Sequence, residues 1–401
     1  MSVPVRSVRR MNDTRKLRAA KQMRRDIRRA RKRRPSKGDD DVLVTTVRKA
    51  LAKHPASLLG IASCFIGWAT PDPYAWVKGG PLKESNSLKE FVDGLASRRL
   101  RETTALLAVL AELLVEDDSL LERCRSEVST RNDHLPKWLV GLRRVEVLRV
   151  LRRTEVLGDG DELLIGLRFA DATELTFVAF VDHNELSGIT EIGVLSDSLD
   201  RVLVRAHRNG DHETRFEEME PADARTWLEY GLRTGGFLPR SDEWRLARPL
   251  LRWVTTLLPD GGRAYLGPST DDRAASELLD LFFASPAGAP FGDVDYRDFL
   301  RQLCETGCCD PGRWSVNRLW WILDKPFPDH DVPLEIALDA PALLRAYIPF
   351  AHAHNGIRQE LTDDAIASID EMSLGYKRQL VARAINEVDD VEPRRLSADG
   401  H

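Results

Sequence analysis

Three consecutive residues, Asp182-His183-Asn184, stand where the apolar run 176–181 (TFVAFV) ends. A carboxylate beside an imidazole is the raw material for an acid/base pair. With Asp197 or Asp200 it becomes a ligand set for a metal that activates water. That chemistry makes the chain a metal-assisted hydrolase centred on Asp182 and His183, with Asn184 beside them. A plainer reading competes with it. Neighbouring residues on a strand point to opposite faces, and Asp and Asn at a strand end cap the following turn without any other partner.

The second group is Cys304, Cys308 and Cys309, whose thiolates suit zinc. A structural zinc needs four ligands, and no matching Cys or His pair lies nearby. Cys64, Cys124, His352 and His354 are all distant in sequence. The group reads as three small, partly buried residues where a helix ends at Gly307, and no metal is assigned. No phosphate-binding glycine loop, dinucleotide fingerprint, Gly-x-Ser-x-Gly elbow or His-Glu-x-x-His helix is present, so the sequence calls for no cofactor. Whether the chain is an enzyme stays open, with a non-enzymatic role favoured.

The charge is unevenly divided. The 401 residues carry 59 Lys and Arg against 63 Asp and Glu, a net charge of −4. Residues 1–38 alone are +14 and the remainder is −18. The densest stretch holds Arg24, Arg25, Arg28, Arg29, Arg31, Lys32, Arg33 and Arg34, which are the candidate nucleic-acid contacts. Residues 12–34 have helical spacing with a thin apolar face. Repulsion among so many like charges leaves such a helix frayed until an anion binds it. An acidic protein, including the chain's own acidic body around residues 211–223, is the other partner that fits. The arm lacks the Trp or Phe a membrane-inserting helix uses.

The elements that must position these residues follow from periodicity. Helices dominate from the charge switch at Lys37–Asp41 to about residue 142. The uncharged run from Pro55 to Pro71 is too short and too rich in Gly and Ser to span a membrane, and reads as a buried helix. Residues 103–115 (TTALLAVLAELLV) are apolar nearly all round, as at the centre of a bundle. From Arg143 the period becomes two. Strands over 144–157, 161–169 and 173–183 form an antiparallel meander, with 188–195 a fourth candidate and 214–219 a fifth. Helices return from Ser241, with an internal Pro249 that kinks or restarts the first of them. Among nine tryptophans, Trp320 and Trp321 cannot share one helical face, so one is exposed or sits at a domain contact.

Several segments occur in a familiar order: TALLAVLAELL, RNDHLPKWLVGL, VAFVDHNELSGI, Arg248-Pro249-Leu250-Leu251, RWSVNRLWWILDK and APALLRAYIPFAHAHNGI. Over about residues 55–360 the chain resembles a family of uncharacterised actinobacterial-type cytoplasmic proteins. That family shows an Asp-His-Asn strand end and a Trp-Ser helix before a Leu-Arg-Ala-aromatic helix. Asp182, His183, Asn184, Trp314 and Ser315 match those motifs. Glu185-Leu186 replaces a glycine-rich turn, and Pro326-Phe327 replaces basic residues. The resemblance implies a domain order and a helical C-terminal domain, and it implies no activity.

The expected architecture is α+β and mainly helical, with a small antiparallel sheet domain between two helical domains. A basic arm (1–38) precedes a helical domain (39–142), an antiparallel α+β domain (143–236), a helical C-terminal domain (237–387) and a loose tail (388–401). Five cysteines, an odd number, argue for a reducing compartment, and the expected location is the cytoplasm. The leading functional expectation is a nucleic-acid-associated or regulatory binding protein that uses the arm. The alternatives are the metal-assisted hydrolase and a module that binds an acidic protein. If the arm binds DNA or RNA, titration at low and physiological salt gives affinity that falls steeply with salt and vanishes when residues 1–38 are deleted. Equal binding by both chains contradicts it.

Overall fold

The computed structural model describes residues 37–70, 86–208, 214–234, 242–324 and 332–398. Arg24, Arg25, Arg28, Arg29, Arg31, Lys32, Arg33 and Arg34 lie outside the described residues. The fold is α+β and mainly helical. No helix among the described residues is long and apolar enough to cross a membrane.

Five helices and a short turn come first: α1 (Lys37–Leu51), α2 (Pro55–Ala69), α3 (Asn86–Ala96), α4 (Arg101–Leu113), α5 (Asp118–Ser129) and α6 (Lys137–Val140). The charge switch expected as a linker is the first turn of α1. The uncharged run forms α2, with Pro55 at its start and the His54 ring accepting from the Ala56 amide. Helix α4 is buried on almost every side, including Leu106, Leu107 and Leu110.

The sheet follows: β1 (Glu146–Glu155), β2 (Gly160–Arg168), β3 (Glu174–Asp182), β4 (Gly188–Leu195) and β5 (Thr214–Glu218). All neighbours are antiparallel, in the order β4-β3-β2-β1-β5. The first three strands are the expected meander, the fourth candidate extends it as β4, and β5 closes onto β1. Helix α7 (Leu199–Arg208) precedes β5, and α8 (Pro221–Thr234) and α9 (Asp242–Leu257) follow it. Alternation sorts the sheet residues cleanly. Leu163, Ile165, Phe177, Ala179 and Val181 face the large core shared with the helices. Leu151, Leu164 and Val178 face α7 through Leu199.

The large core runs from Val47 to Leu258 and crosses the expected boundaries at residues 142 and 236. A second core, from Leu278 to Leu380, belongs to the C-terminal helices. These are α10 (Asp272–Phe283), α11 (Val294–Cys304), α12 (Val316–Leu323), α13 (Leu334–Leu338), α14 (Ala340–His354) and α15 (Gln359–Ala398). The backbone of α15 stays helical past residue 387, where the sequence suggests a loose tail.

Pro249 neither ends nor restarts α9. Its ring removes the N–H that would bond Arg245 O, and Ser63 from α2 bridges the next pair along. Ser63 Oγ donates to Leu246 O at 2.7 Å and accepts from Leu250 N at 3.3 Å. So close a crossing needs a residue without a side chain. A Cβ on Gly67 of α2 would lie 2.3 Å from Arg245 O. Gly67→Ala therefore forces the two helices apart, and we expect it to cost about 1–3 kcal/mol in urea unfolding. Gly60 of the same helix has nothing within 4 Å of an added Cβ, so Gly60→Ala is expected to stabilise by up to about 1 kcal/mol. A harmless Gly67→Ala contradicts the crossing.

Candidate active site at the sheet end

Residues 183–187 connect β3 to β4. His183–Glu185 form a single 3-10 turn, and Leu186 and Ser187 both have left-handed backbone, at φ 56° and 55°. Non-glycine residues rarely take that conformation, and strain of this kind gathers at functional sites.

Asp182 is the last residue of β3 and His183 the first of the turn, and their side chains bond different partners. Asp182 caps the turn, accepting from Asn184 N at 2.9 Å. Burial, together with the nearby charges of Glu185 and Asp159, pushes its carboxyl up to about 7. His183 turns towards the core side of the sheet, where its side chain is 9 % exposed. Its Nε2 lies 3.1 Å from Asp161 Oδ2 and its Nδ1 lies 3.0 Å from Ser187 Oγ.

Asp161 is fully buried. A charge in that position must be paired and hydrogen-bonded, and it is. Arg152 Nε donates to Oδ1 at 2.9 Å, and Thr154 Oγ1 donates to the same oxygen at 2.5 Å. Burial acts to raise the Asp161 pKa. The hydrogen bonds from His183, Arg152 and Thr154 outweigh burial and hold it below the ordinary carboxylate value. Register explains the meeting, because Thr154 pairs with Asp161 across β1 and β2. The Arg152 guanidinium lies over the Trp227 ring of α8 at 5.1 Å.

The far end of the chain of bonds is Tyr265. Its hydroxyl donates to Ser187 Oγ at 2.9 Å. Its ring packs against Trp227 and Tyr230, and burial pushes its phenol up to about 12. It therefore remains a donor at neutral pH. Because ionised Asp161 only accepts, His183 Nε2 donates to it. In the neutral imidazole Nδ1 then accepts from Ser187, and Ser187 accepts from Tyr265. The donors run in one direction: Tyr265, Ser187, His183, Asp161.

Asp159, two residues before Asp161, ties the sheet to the C-terminal helices. It accepts from Ser315 Oγ, from Asn184 Nδ2 at 3.0 Å and from Asn317 Nδ2 at 3.1 Å. Ser315 also caps α12 through the Arg318 amide. Opposite stands the loop 305–313, gathered by Arg318, which is 1 % exposed. Its guanidinium donates to the carbonyls of Leu303, Cys304, Asp310 and Arg313 and stacks on Trp314 at 4.1 Å. Between sheet end and loop lies a cleft of about 660 Å³, lined by His183, Asn184, Ser187, Gly307, Cys309 and Trp321 among others.

The other expected residues lie elsewhere. Asp197 pairs with Arg205 at 2.6 Å, and exposed Asp200 lies 3.5 Å from Arg149. Neither bonds His183. Cys304 is buried, with its thiol pushed up to about 12 by burial. Cys308 Sγ faces Leu157 O at 3.8 Å, and Cys309 Sγ faces Glu305 O at 3.1 Å. Among the described residues no group of three or more His, Cys, Asp and Glu is placed to hold a metal ion. Sequence reasoning missed Asp159, Asp161, Ser187 and Tyr265. One signal was available: Asp161 shares the phase of Leu163, Ile165 and Leu167, so it had to be a buried acid.

The raised Asp182 value has a stability consequence. A carboxyl whose folded-state pKa lies above its unfolded value contributes stability below about pH 4 that is lost as the pH rises to about 7. Asp182→Asn keeps the turn-capping oxygen and removes the titration. Relative to wild type, the variant should gain on the order of 2 kcal/mol between pH 5 and pH 8 in urea unfolding. A difference independent of pH contradicts the burial of this acid. No family model, curated protein or solved structure matches this chain.

Proposed function

We propose that the protein is a hydrolase that uses Ser187 as nucleophile, His183 as base and Asp161 as the group that orients the imidazole. The observation that carries this reading is the one-way chain of hydrogen bonds from Tyr265 through Ser187 and His183 to a buried, ionised Asp161. Both ring nitrogens of His183 are engaged in it. This favours an activated serine over a metal-bound water held by His183 and Asp182.

The chemistry follows the general pattern of such groups. Ser187 Oγ bonds to a substrate carbonyl carbon while its proton passes to His183 Nδ1. His183 gives that proton to the leaving group as the bond to carbon breaks. Water then attacks the acyl-serine, His183 takes its proton, and Ser187 Oγ regains it on release of the acid. Asp161 stabilises the imidazolium throughout and stays ionised. Tyr265, kept protonated by burial, turns its hydroxyl from Ser187 Oγ to the oxyanion, where a donor is worth most. The left-handed turn at Ser187 holds this buried residue against the wall of the cleft, between His183 and Tyr265.

A second reading rests on the +14 charge of residues 1–38. Such an arm is suited to holding the protein on DNA or RNA, and it is compatible with a hydrolytic body.

A fluorophosphonate probe tests the first reading. It should label the intact protein once, at Ser187, as read by mass spectrometry. Ser187→Ala should abolish labelling and lower kcat/KM on 4-nitrophenyl esters by about 10³-fold or more. Asp161→Asn should lower kcat/KM by at least about 10²-fold. Absence of labelling, or labelling that survives Ser187→Ala, overturns the assignment.

A further inference from the structure

Helix α15 packs one side against α12, α13 and α14. Ala365, Ile369, Tyr376 and Leu380 are buried on that side. On the other side Ala367, Glu371, Leu374, Arg378, Val381 and Ile385 are all exposed. Their spacing alternates four and three residues, which keeps them in one stripe along the helix. Leu374, Val381 and Ile385 are 61 %, 43 % and 55 % exposed. A single exposed apolar residue is ordinary, but three in line on one helix mark a contact surface.

The charges on this stripe say what covers it. Asp370 and Lys377, to either side of it, already pair with Arg345 and Asp339. Glu371 and Arg378 have no ion-pair partner among the described residues. They stand seven positions apart, beyond the three or four at which side chains of one helix meet. Both lie equally far from the point between Leu374 and Gly375. A two-fold axis through that point, with a second helix running antiparallel, sets each Glu371 opposite the Arg378 of the other copy. A parallel pair in register would oppose like charges instead. The same axis brings the two Leu374 side chains together and places the two Gly375 residues at the crossing. An added Cβ on Gly375 has nothing within 4 Å, so no contact within the chain calls for a glycine in mid-helix, where it weakens the helix. Close approach of a second helix does call for one.

We propose that the exposed face of α15 joins two copies of this chain as an antiparallel helix pair centred between Leu374 and Gly375. The apolar residues supply the contact, and the Glu371–Arg378 pairs fix its direction and register. The stripe is complementary to itself, so the contact is isologous and association closes at the dimer. One helix pair is a small interface, and the dimer is reversible, with a dissociation constant on the order of 10 μM.

Sedimentation velocity of the full chain at physiological salt, over about 1–200 μM, tests this. Wild type should pass from monomer to dimer across that range. Glu371→Arg and Arg378→Glu each set like charges against one another at two places, and each alone should weaken association at least about tenfold. An equimolar mixture of the two variants should regain it as a one-to-one dimer, because opposite charges face each other again. Leu374→Ala should weaken association by a similar factor. A monomer at every concentration overturns the proposal, as does an assembly larger than a dimer. So does a dimer that either charge reversal leaves unchanged, or a mixture that associates no better than its components.

Discussion

A fully buried carboxylate, Asp161, sets the terms for this end of the molecule. An ionised acid in the interior is tolerated only when its lone pairs are filled. Here Arg152, Thr154 and His183 fill them. Two of the three come from the neighbouring strand, so sheet register is itself part of the site. Moving β1 by one residue would turn Thr154 and Arg152 to the α7 side and leave the charge unpaired. The third donor fixes the imidazole, and through it the serine and the tyrosine. A demand made by electrostatics thus becomes a directed chain of donors at a strained turn.

Asp159 does for the two cores what Asp161 does for the side chains. It stands in the β1–β2 turn and collects donors from the β3–β4 turn and from both ends of the Ser315–Asn317 segment. Gly158, left-handed at φ 68°, lets that turn lie against Cys308 and Arg313. The cleft is what remains between these two seams. Its helical wall is kept in place by Arg318, whose charge is met by carbonyl dipoles at the end of α11 and in the loop after it. Removing that guanidinium would free several buried carbonyls at once.

Much of the fold was legible because periodicity is a local property. The switch from a period of 3.6 to a period of two at Arg143 marks the sheet, and the Gly158-Asp159-Gly160 and Asp171 turns separate its strands. The path of α9 through Pro249 was not legible, since Ser63, which bridges the backbone beside the proline, is far away in sequence. The site was half legible. Asp182-His183-Asn184 stood out as polar residues at a strand end, and for Asp182 the turn-capping alternative describes what it does. The partners of His183 did not stand out. Asp161 is reached by strand pairing and Tyr265 by packing of a loop, and neither relation leaves a spacing in the sequence. Asp197 and Asp200 were attractive by proximity alone, and lie beyond the opposite end of β4.

The account depends on the direction of the donors around His183. Nitrogen-15 NMR of the imidazole in the intact protein at neutral pH reads that direction. The account predicts a protonated Nε2 whose proton is hydrogen-bonded to Asp161, and an unprotonated Nδ1 that accepts from Ser187. A proton resident on Nδ1 with a bare Nε2 would contradict it, because Asp161 would then face His183 without a donor and Ser187 without a base.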